Sequence, residues 1–268
     1  MQITSQIHAF RVPFTIPITP DQRLDRFVYV YAVLGDREVW LVDSGVVATE
    51  KVVAARLSEI GRNMGEVSTL LLTHSHPDHI GAAAAIQSAT GCRILIHETE
   101  RAWLEDVDLQ RRQRPVPGFD QLVGGSAQVT RTITGGDRLA LDNRLTLEVL
   151  HTPGHSAGSV SFRIAEKKTL ISGDAVISPG DLPIYDDYRL CLASIERLAT
   201  LDGVEVLLSS WDEPKRGETV RQRFQEARDY CSVKPWFSGW PSAGVQPLGC
   251  LFQAEAWNPM IRNPNFKV

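Results

Sequence analysis

Apolar and polar positions along the chain fall into two successive series of short strands and helices. Residues 27–34 (FVYVYAVL) and 38–43 (EVWLVD) are rich in β-branched and aromatic side chains and are separated by Gly35-Asp36-Arg37, which predicts a hairpin. Over 49–62 the positions Val52, Val53, Leu57 and Ile60 recur at helical spacing, with Thr49 as the expected cap. A short buried strand is expected at 68–73, a small-residue helix at 80–90 closed by Gly91, a strand at 93–96 and a helix at 98–104. The second series runs through strands at 129–134, 138–141, 145–151, 159–164 and 169–173. It ends with a helix at 189–201, a strand at 204–208 and an amphipathic helix at 217–231. Two sheets packed face to face, with helices on both outer faces, would bury such a pattern in an α+β fold.

Two stretches break the rhythm. Residues 106–128 carry Arg111, Arg112, Arg114, two prolines and Gly124-Gly125, and read either as a solvated connector or as a flap beside a pocket. From residue 233 onward the chain holds five of its fifteen prolines and three of its six tryptophans, Trp236, Trp240 and Trp257. The expected organisation is therefore a catalytic domain over 1–232 and an irregular tail over 233–268 that packs on the domain or on a partner subunit.

Composition narrows the function classes. A formal net charge of −4 argues against nucleic acid as the main partner, because phosphate binding needs a basic face. Cys92, Cys191, Cys231 and Cys250 are widely spaced and form no CxxC pair, so reduced thiols are expected rather than a disulfide framework. No apolar run approaches the ~18 residues of a membrane helix, and no basic start with an apolar stretch marks a signal peptide. These features predict a cytoplasmic protein without membrane partners, with a homodimer as the protein assembly considered; a small-molecule substrate is expected from the chemistry of its motifs instead.

The chemistry concentrates in His74-Ser-His76-Pro-Asp78-His79, directly after the strand at 68–73. Strand side chains alternate with period two, so His74 and His76 project to one side, while Pro77 stops the strand and leaves Asp78 and His79 at the turn into the next helix. The cluster can offer two pairs of donors to two neighbouring points. Imidazole and carboxylate without thiolate suit catalytic zinc, iron or manganese better than a closed structural zinc site. Thr152-Pro-Gly-His155-Ser-Ala-Gly-Ser159 joins two strands through a sharp turn that aims His155 inward, and Ser172-Gly-Asp174 ends an apolar strand with a carboxylate. His8, His97 and His151 read as structural or surface residues.

In this order, the motifs resemble those of the metallo-β-lactamase superfamily, and within it the branch of glyoxalase II and related thioester and lactone hydrolases. The resemblance covers residues 27–215 and implies a four-layered αββα sandwich with metals at one edge of the sheets. It implies His74, His76 and His155 as ligands of a first metal, Asp78 and His79 as ligands of a second, and Asp174 as the bridge. Asp43, in Leu-Val-Asp-Ser-Gly, matches a residue that braces the metal loop without binding metal. The family pattern ends with a further histidine after the strand at 204–208. Here no histidine follows His155, Trp211 occupies the matching position, and Asp212 is the neighbouring alternative. One tight metal and a second that is weak or different in kind are therefore expected, zinc first, with iron and manganese as the other candidates.

The implied reaction is hydrolysis of a carboxylic ester, thioester or lactone by metal-activated water, with Asp78 or Asp174 orienting the water or taking its proton. Tyr185 and Tyr188 are candidate phenols for the oxyanion, and the arginines of 106–128 could draw in an anionic substrate group. Two other readings stand beside it. One is a mononuclear-iron persulfide dioxygenase using His74, His155 and Asp174; the other is a degenerate member that binds metal without turnover.

Overall fold

The computed structural model describes residues 1–17, 21–142, 144–179 and 184–233. The expected tail, with Trp236, Trp240, Trp257 and Cys250, lies outside the described residues. Two six-stranded sheets form the centre. The first is ordered β1 (Ile7–Pro17), β2 (Arg23–Leu34), β3 (Val39–Val42), β4 (Val67–Leu71), β5 (Arg93–His97), β6 (Arg131–Ile133). The second, written from its far edge, is ordered β12 (Lys215–Arg216), β11 (Val206–Ser209), β10 (Thr169–Gly173), β9 (Val160–Ile164), β8 (Thr146–His151), β7 (Arg138–Ala140).

Period-two alternation distributes each strand's side chains between two apolar layers. On β2, Val28, Val30 and Ala32 face one cluster, which includes Val53 and Leu57 of α1 (Thr49–Glu59), Ile80 of α2 (Pro77–Ile80) and Ile86 of α3 (Ala83–Thr90). Tyr29, Tyr31 and Val33 face the space between the sheets, where they meet Leu147, Val149, Phe162 and Ile171. A third cluster packs Leu170 and Leu207 against Ile195 of α7 (Tyr188–Ala199) and Phe224 of α8 (Glu218–Val233). Three apolar layers separate four structural ones, so the expected αββα sandwich is the observed fold.

Several expectations change in detail. The N-terminal segment forms an eleven-residue strand, β1, that the sequence reading leaves unassigned. Its Pro13 and Pro17 weaken the strand signal, yet β1 is the sheet's edge, where a missing N–H is tolerated. Thr49 is not the cap of α1; Ala48 takes that position with φ 67°, and Thr49 is the first helical residue, buried beneath it. The helix expected over 80–90 is two pieces, because the chain breaks between Ile80 and Ala83. Gly81 fits there for lack of a side chain: a Cβ would stand 2.2 Å from the Leu122 carbonyl oxygen.

The 106–128 stretch is neither a solvated connector nor a plain flap. After α4 (Arg101–Glu105) it forms α5 (Val107–Gln113) and α6 (Phe119–Leu122), with Gln110, Arg114, Phe119 and Leu122 buried. The described cysteines Cys92, Cys191 and Cys231 are free and buried, as expected. Among the described residues no helix is long and apolar enough to cross a membrane.

Candidate metal centre

Strand direction sets the site. β3, β4, β5 and β6 run parallel, as do β10 and β11, so β4 and β10 deliver their C-terminal ends to loops at one edge of the sandwich. The chain leaving β4 carries His74, His76, Asp78 and His79; the chain leaving β10 carries Asp174. The β8–β9 turn brings His155 to the same place, with the Val160 amide donating to the Thr73 carbonyl at 2.9 Å. All six expected residues converge. His74, His76 and His155 present nitrogens within 4.8 Å of one another, as do the donor atoms of His74, His79 and Asp174. Asp78 joins the second group through His79, its Oδ2 lying 3.5 Å from His79 Nε2.

Hydrogen bonds on the far side of the rings fix which nitrogen faces the cleft. His155 Nδ1 donates to the Ile184 carbonyl at 2.7 Å, which leaves Nε2 as a lone pair. His79 Nδ1 donates to Asp43 Oδ2 at 2.9 Å. Thr73 Oγ1 donates to Asp43 at 2.9 Å and so accepts from His74 Nδ1 at 3.0 Å. One carboxylate, Asp43, therefore orients two imidazoles, the bracing role expected of it. It does so from a left-handed backbone conformation, φ 62°, which Asp tolerates better than most residues.

Four of the inward-facing atoms lack hydrogen-bond partners, while His155 Nε2 and His76 Nδ1 lie 2.7 Å from each other. His74 Nε2, His79 Nε2, Asp78 Oδ2 and Asp174 Oδ1 are buried and hydrogen-bond to nothing among the described residues, as is His76 Nε2 on that ring's other side. Buried polar atoms rarely remain so. Four such inward atoms on one cluster, with nitrogen and oxygen donors at ligand spacing, fit a divalent cation. Burial and neighbouring charge act on every group of the cluster. Burial pushes His74, His76 and His155 below the ordinary imidazole range, and neighbouring positive groups (His79 for His74, Arg114 for His76) add to it. Burial raises Asp78 to about 6. Burial also works against charge on His79 and Asp174, yet their mutual attraction prevails, raising His79 and lowering Asp174.

The site has supports that the motifs do not announce. Glu100, 3% exposed, takes hydrogen bonds from both histidine-bearing segments. Gln110 of α5 donates through Nε2 to the Ser75 carbonyl, between His74 and His76. Arg114, following α5, donates to Asp186 at 3.2 Å, and the Asp186 amide donates to Gly154 O at 2.8 Å behind His155. Of the three arginines considered for anion binding, Arg114 is thus buried in an ion pair, whereas Arg111 pairs with Asp120 at the surface.

Other expected positions fall away from the cluster. Tyr185 is not placed as an oxyanion donor: it is 3% exposed and packs with Cys191, Ile195 and Cys231 in the layer under α7 and α8. Tyr188 packs against that layer, and its hydroxyl accepts from Arg189 at 3.2 Å. Asp212 belongs to neither donor group; it pairs with Lys215 at 3.0 Å and Arg223 at 2.9 Å. Trp211 meets the Phe14 ring edge-on at 6.2 Å and lies under the Arg26 guanidinium at 4.6 Å. His151 stacks on His97 with ring centroids 4.6 Å apart.

The family model described as Metallo-beta-lactamase superfamily matches residues 23–210. A probable metallo-hydrolase, YqgX, of Bacillus subtilis is 34% identical over 145 residues, which span 52% of this chain and 66% of that protein. A hydroxyacylglutathione hydrolase of Rhodospirillum rubrum is 28% identical over 158 residues, 57% of this chain and 53% of the relative, so the chain spans about half the length of that enzyme. Among solved structures, the metallo-beta-lactamase family protein TTHA1429 of Thermus thermophilus superposes with a TM-score of 0.69, covering 87% of this chain and 81% of its own. At 24% identity that likeness is one of fold.

Proposed function

The chain belongs to the metallo-beta-lactamase superfamily, and from that premise we propose that it is a metal-dependent hydrolase of carboxylic ester, thioester or lactone bonds. The observation that carries the reading is the convergence of His74, His76, His155, His79, Asp78 and Asp174, with inward atoms of His74, His79, Asp78 and Asp174 buried and without hydrogen-bond partners. The similarity to hydroxyacylglutathione hydrolases supports a thioester among the substrate candidates. His74, His76, His155 and Asp174 would hold the first cation, zinc by the donor set, and Asp78, His79 and Asp174 a second, more weakly held one.

A bound cation of this kind lowers the pKa of water from about 15.7 to about 7 and polarises a carbonyl oxygen. The chain's own residues do the rest. Asp43 and the Ile184 carbonyl keep the imidazoles in one tautomer and orientation, so that their lone pairs face the cleft. Asp78, whose Oδ2 lies 3.5 Å from His79 Nε2, would accept a proton from the attacking water and return it to the leaving group. Asp174, held charged between His79 and His155, orients that water as an acceptor. Tyr185 and Tyr188 have no part in this scheme.

The test is a panel of esters, thioesters and lactones assayed with an oxygen electrode in the same vessel. Cleavage without oxygen uptake supports the reading. The second reading has its own geometric support, since His155 Nε2 and His74 Nε2 lie 3.3 Å and 4.0 Å from Asp174 Oδ2, a face of two histidines and one carboxylate. Oxygen uptake with glutathione persulfide, and no cleavage of the panel, would replace hydrolysis with dioxygenation. Metal bound without either activity would leave a binding protein.

A further inference from the structure

Glu100 ends the one-turn 3-10 segment Glu98–Glu100 that follows β5, and its side chain is buried. Four donors fill its two oxygens. Oε2 accepts from the Ser75 amide at 3.1 Å and from the Ser75 hydroxyl, while Oε1 accepts from the Ser156 hydroxyl at 2.7 Å and the Gly158 amide at 2.8 Å. Ser75 stands between His74 and His76; Ser156 follows His155. The two segments come from different sheets, and one side chain joins them. Gly158 completes the fit, because a Cβ there would stand 2.5 Å from Glu100 Cγ and 2.3 Å from Thr99 Oγ1.

We propose that Glu100 is a positioning residue for the first cation: it holds the His74–His76 segment and the His155 segment at ligand spacing before any metal enters. A carboxylate suits this task because it only accepts, and can take two hydrogen bonds on each oxygen without a competing donor. The amide of Gln at the same place would turn an N–H₂ toward one of the two segments, against N–H and O–H groups that need an acceptor. One histidine segment would then lose its anchor, and a cation would have to order it on binding. The inference rests on the proposed metal site and reaches beyond it to a residue that touches neither metal nor substrate.

Chelator competition on metal-free protein, with zinc as the probe, measures the effect, and the visible absorption spectrum of the cobalt-loaded protein reports ligand geometry. Glu100→Gln is expected to weaken zinc binding about 10–100-fold and to shift the cobalt bands, the range seen when residues behind metal ligands are altered. Ser156→Ala, which removes one of the four donors, should move both readouts in the same direction by less, and serves if Glu100→Gln does not fold. Val149→Ala, buried among the apolar side chains between the sheets, supplies a variant of lowered melting temperature that should keep wild-type zinc affinity. Wild-type affinity and spectrum in both loop variants would overturn the proposal, as would an equal loss in Val149→Ala. Failure of the wild-type protein to bind zinc or cobalt at all would instead overturn the metal site itself.

Discussion

His76 Nδ1 and His155 Nε2 lie 2.7 Å apart, although 79 residues separate them in the chain. Because His155 Nδ1 already donates to a carbonyl, its Nε2 can only accept. In the metal-free protein the single N–H of neutral His76 fills the gap from Nδ1, and a cation taking that nitrogen requires the proton to sit on Nε2, so binding selects the other tautomer. His155→Ala or His74→Ala removes a donor from the first site. Either variant should lose at least one metal per chain by elemental analysis and at least about 100-fold in kcat, the upper end of the range for residues that only brace metal ligands. Full metal content in both variants would refute the assignment.

Asp43 supports this arrangement at one remove. Replacing it with Asn keeps the size and the left-handed backbone but puts an N–H₂ against His79 Nδ1–H or Thr73 Oγ1–H. Metal affinity should fall about 10–100-fold with little change in KM. An Asp43→Asn protein with wild-type metal affinity would show that the orientation of His79 and His74 is set elsewhere.

The turn carrying His155 depends on Gly154. Its φ is +132°, a conformation foreign to other residues, and a Cβ would fall 2.1 Å from the Cys191 backbone nitrogen at the start of α7. Gly154→Ala must displace either the turn or the helix. It should cost about 2–4 kcal/mol in denaturant unfolding of the metal-free protein, in the range typical of backbone strain combined with overpacking. A loss below about 0.5 kcal/mol would mean that the turn adapts freely.

A histidine pair outside the centre gives a pH prediction. His97 Nδ1 accepts from the Thr99 amide at 3.3 Å, a bond that only the unprotonated nitrogen can make. Burial lowers its pKa, and His151, stacked on it, lowers it further, while Glu98 and Glu100 oppose both. A base whose folded pKa is depressed contributes stability that is complete above its unfolded value near 6.5 and is lost as pH falls from there through the lowered folded value. The His97 ring resonance should therefore titrate below 6.5, and move upward in His151→Asn. A wild-type titration at or above 6.5 would contradict the burial argument.

What the sequence discloses divides along physical lines. His74, His76 and His79 were legible because period two and Pro77 dictate where their side chains go, and Asp174 because an apolar strand ends on it. The alternation in β2 likewise shows both of its buried faces. Glu100, Gln110 and Arg114 carry no such mark, since their roles depend on contacts with residues far along the chain; the small residues Ser75, Ser156 and Gly158 beside the histidines are the only local hint. β1 escaped notice because prolines oppose a strand locally and only its edge position admits them. Tyr185 is not legible in this way, because nearness to Asp174 in sequence says nothing of the side on which the ring packs.

The last prediction concerns a donor that is missing. Gly173 of β10 pairs with Ser209 of β11, and the Ser210 amide donates to Gly173 O at 3.2 Å, so the residues after Ser209 leave the sheet beside Asp174. A ligand for a second cation could come from here, but Trp211 offers no lone pair in the plane of its ring. Asp212 has the right chemistry and the wrong attachments. Two cations hold its carboxylate, Lys215 at 3.0 Å and Arg223 at 2.9 Å, and turning it toward Asp174 would leave both without that partner. The second position thus relies on Asp78, His79 and the shared Asp174, one nitrogen against the first position's three. Nitrogen-poor sites hold zinc less firmly, and here protonated His79 must also surrender its proton before it can bind. Dialysis against a chelator should remove the second metal well before the first. Asp212→Ala should leave both metals as they were and lower only the melting temperature, whereas Trp211→His should slow the loss of the second. Two metals leaving the wild-type protein together would show that another group completes the second site.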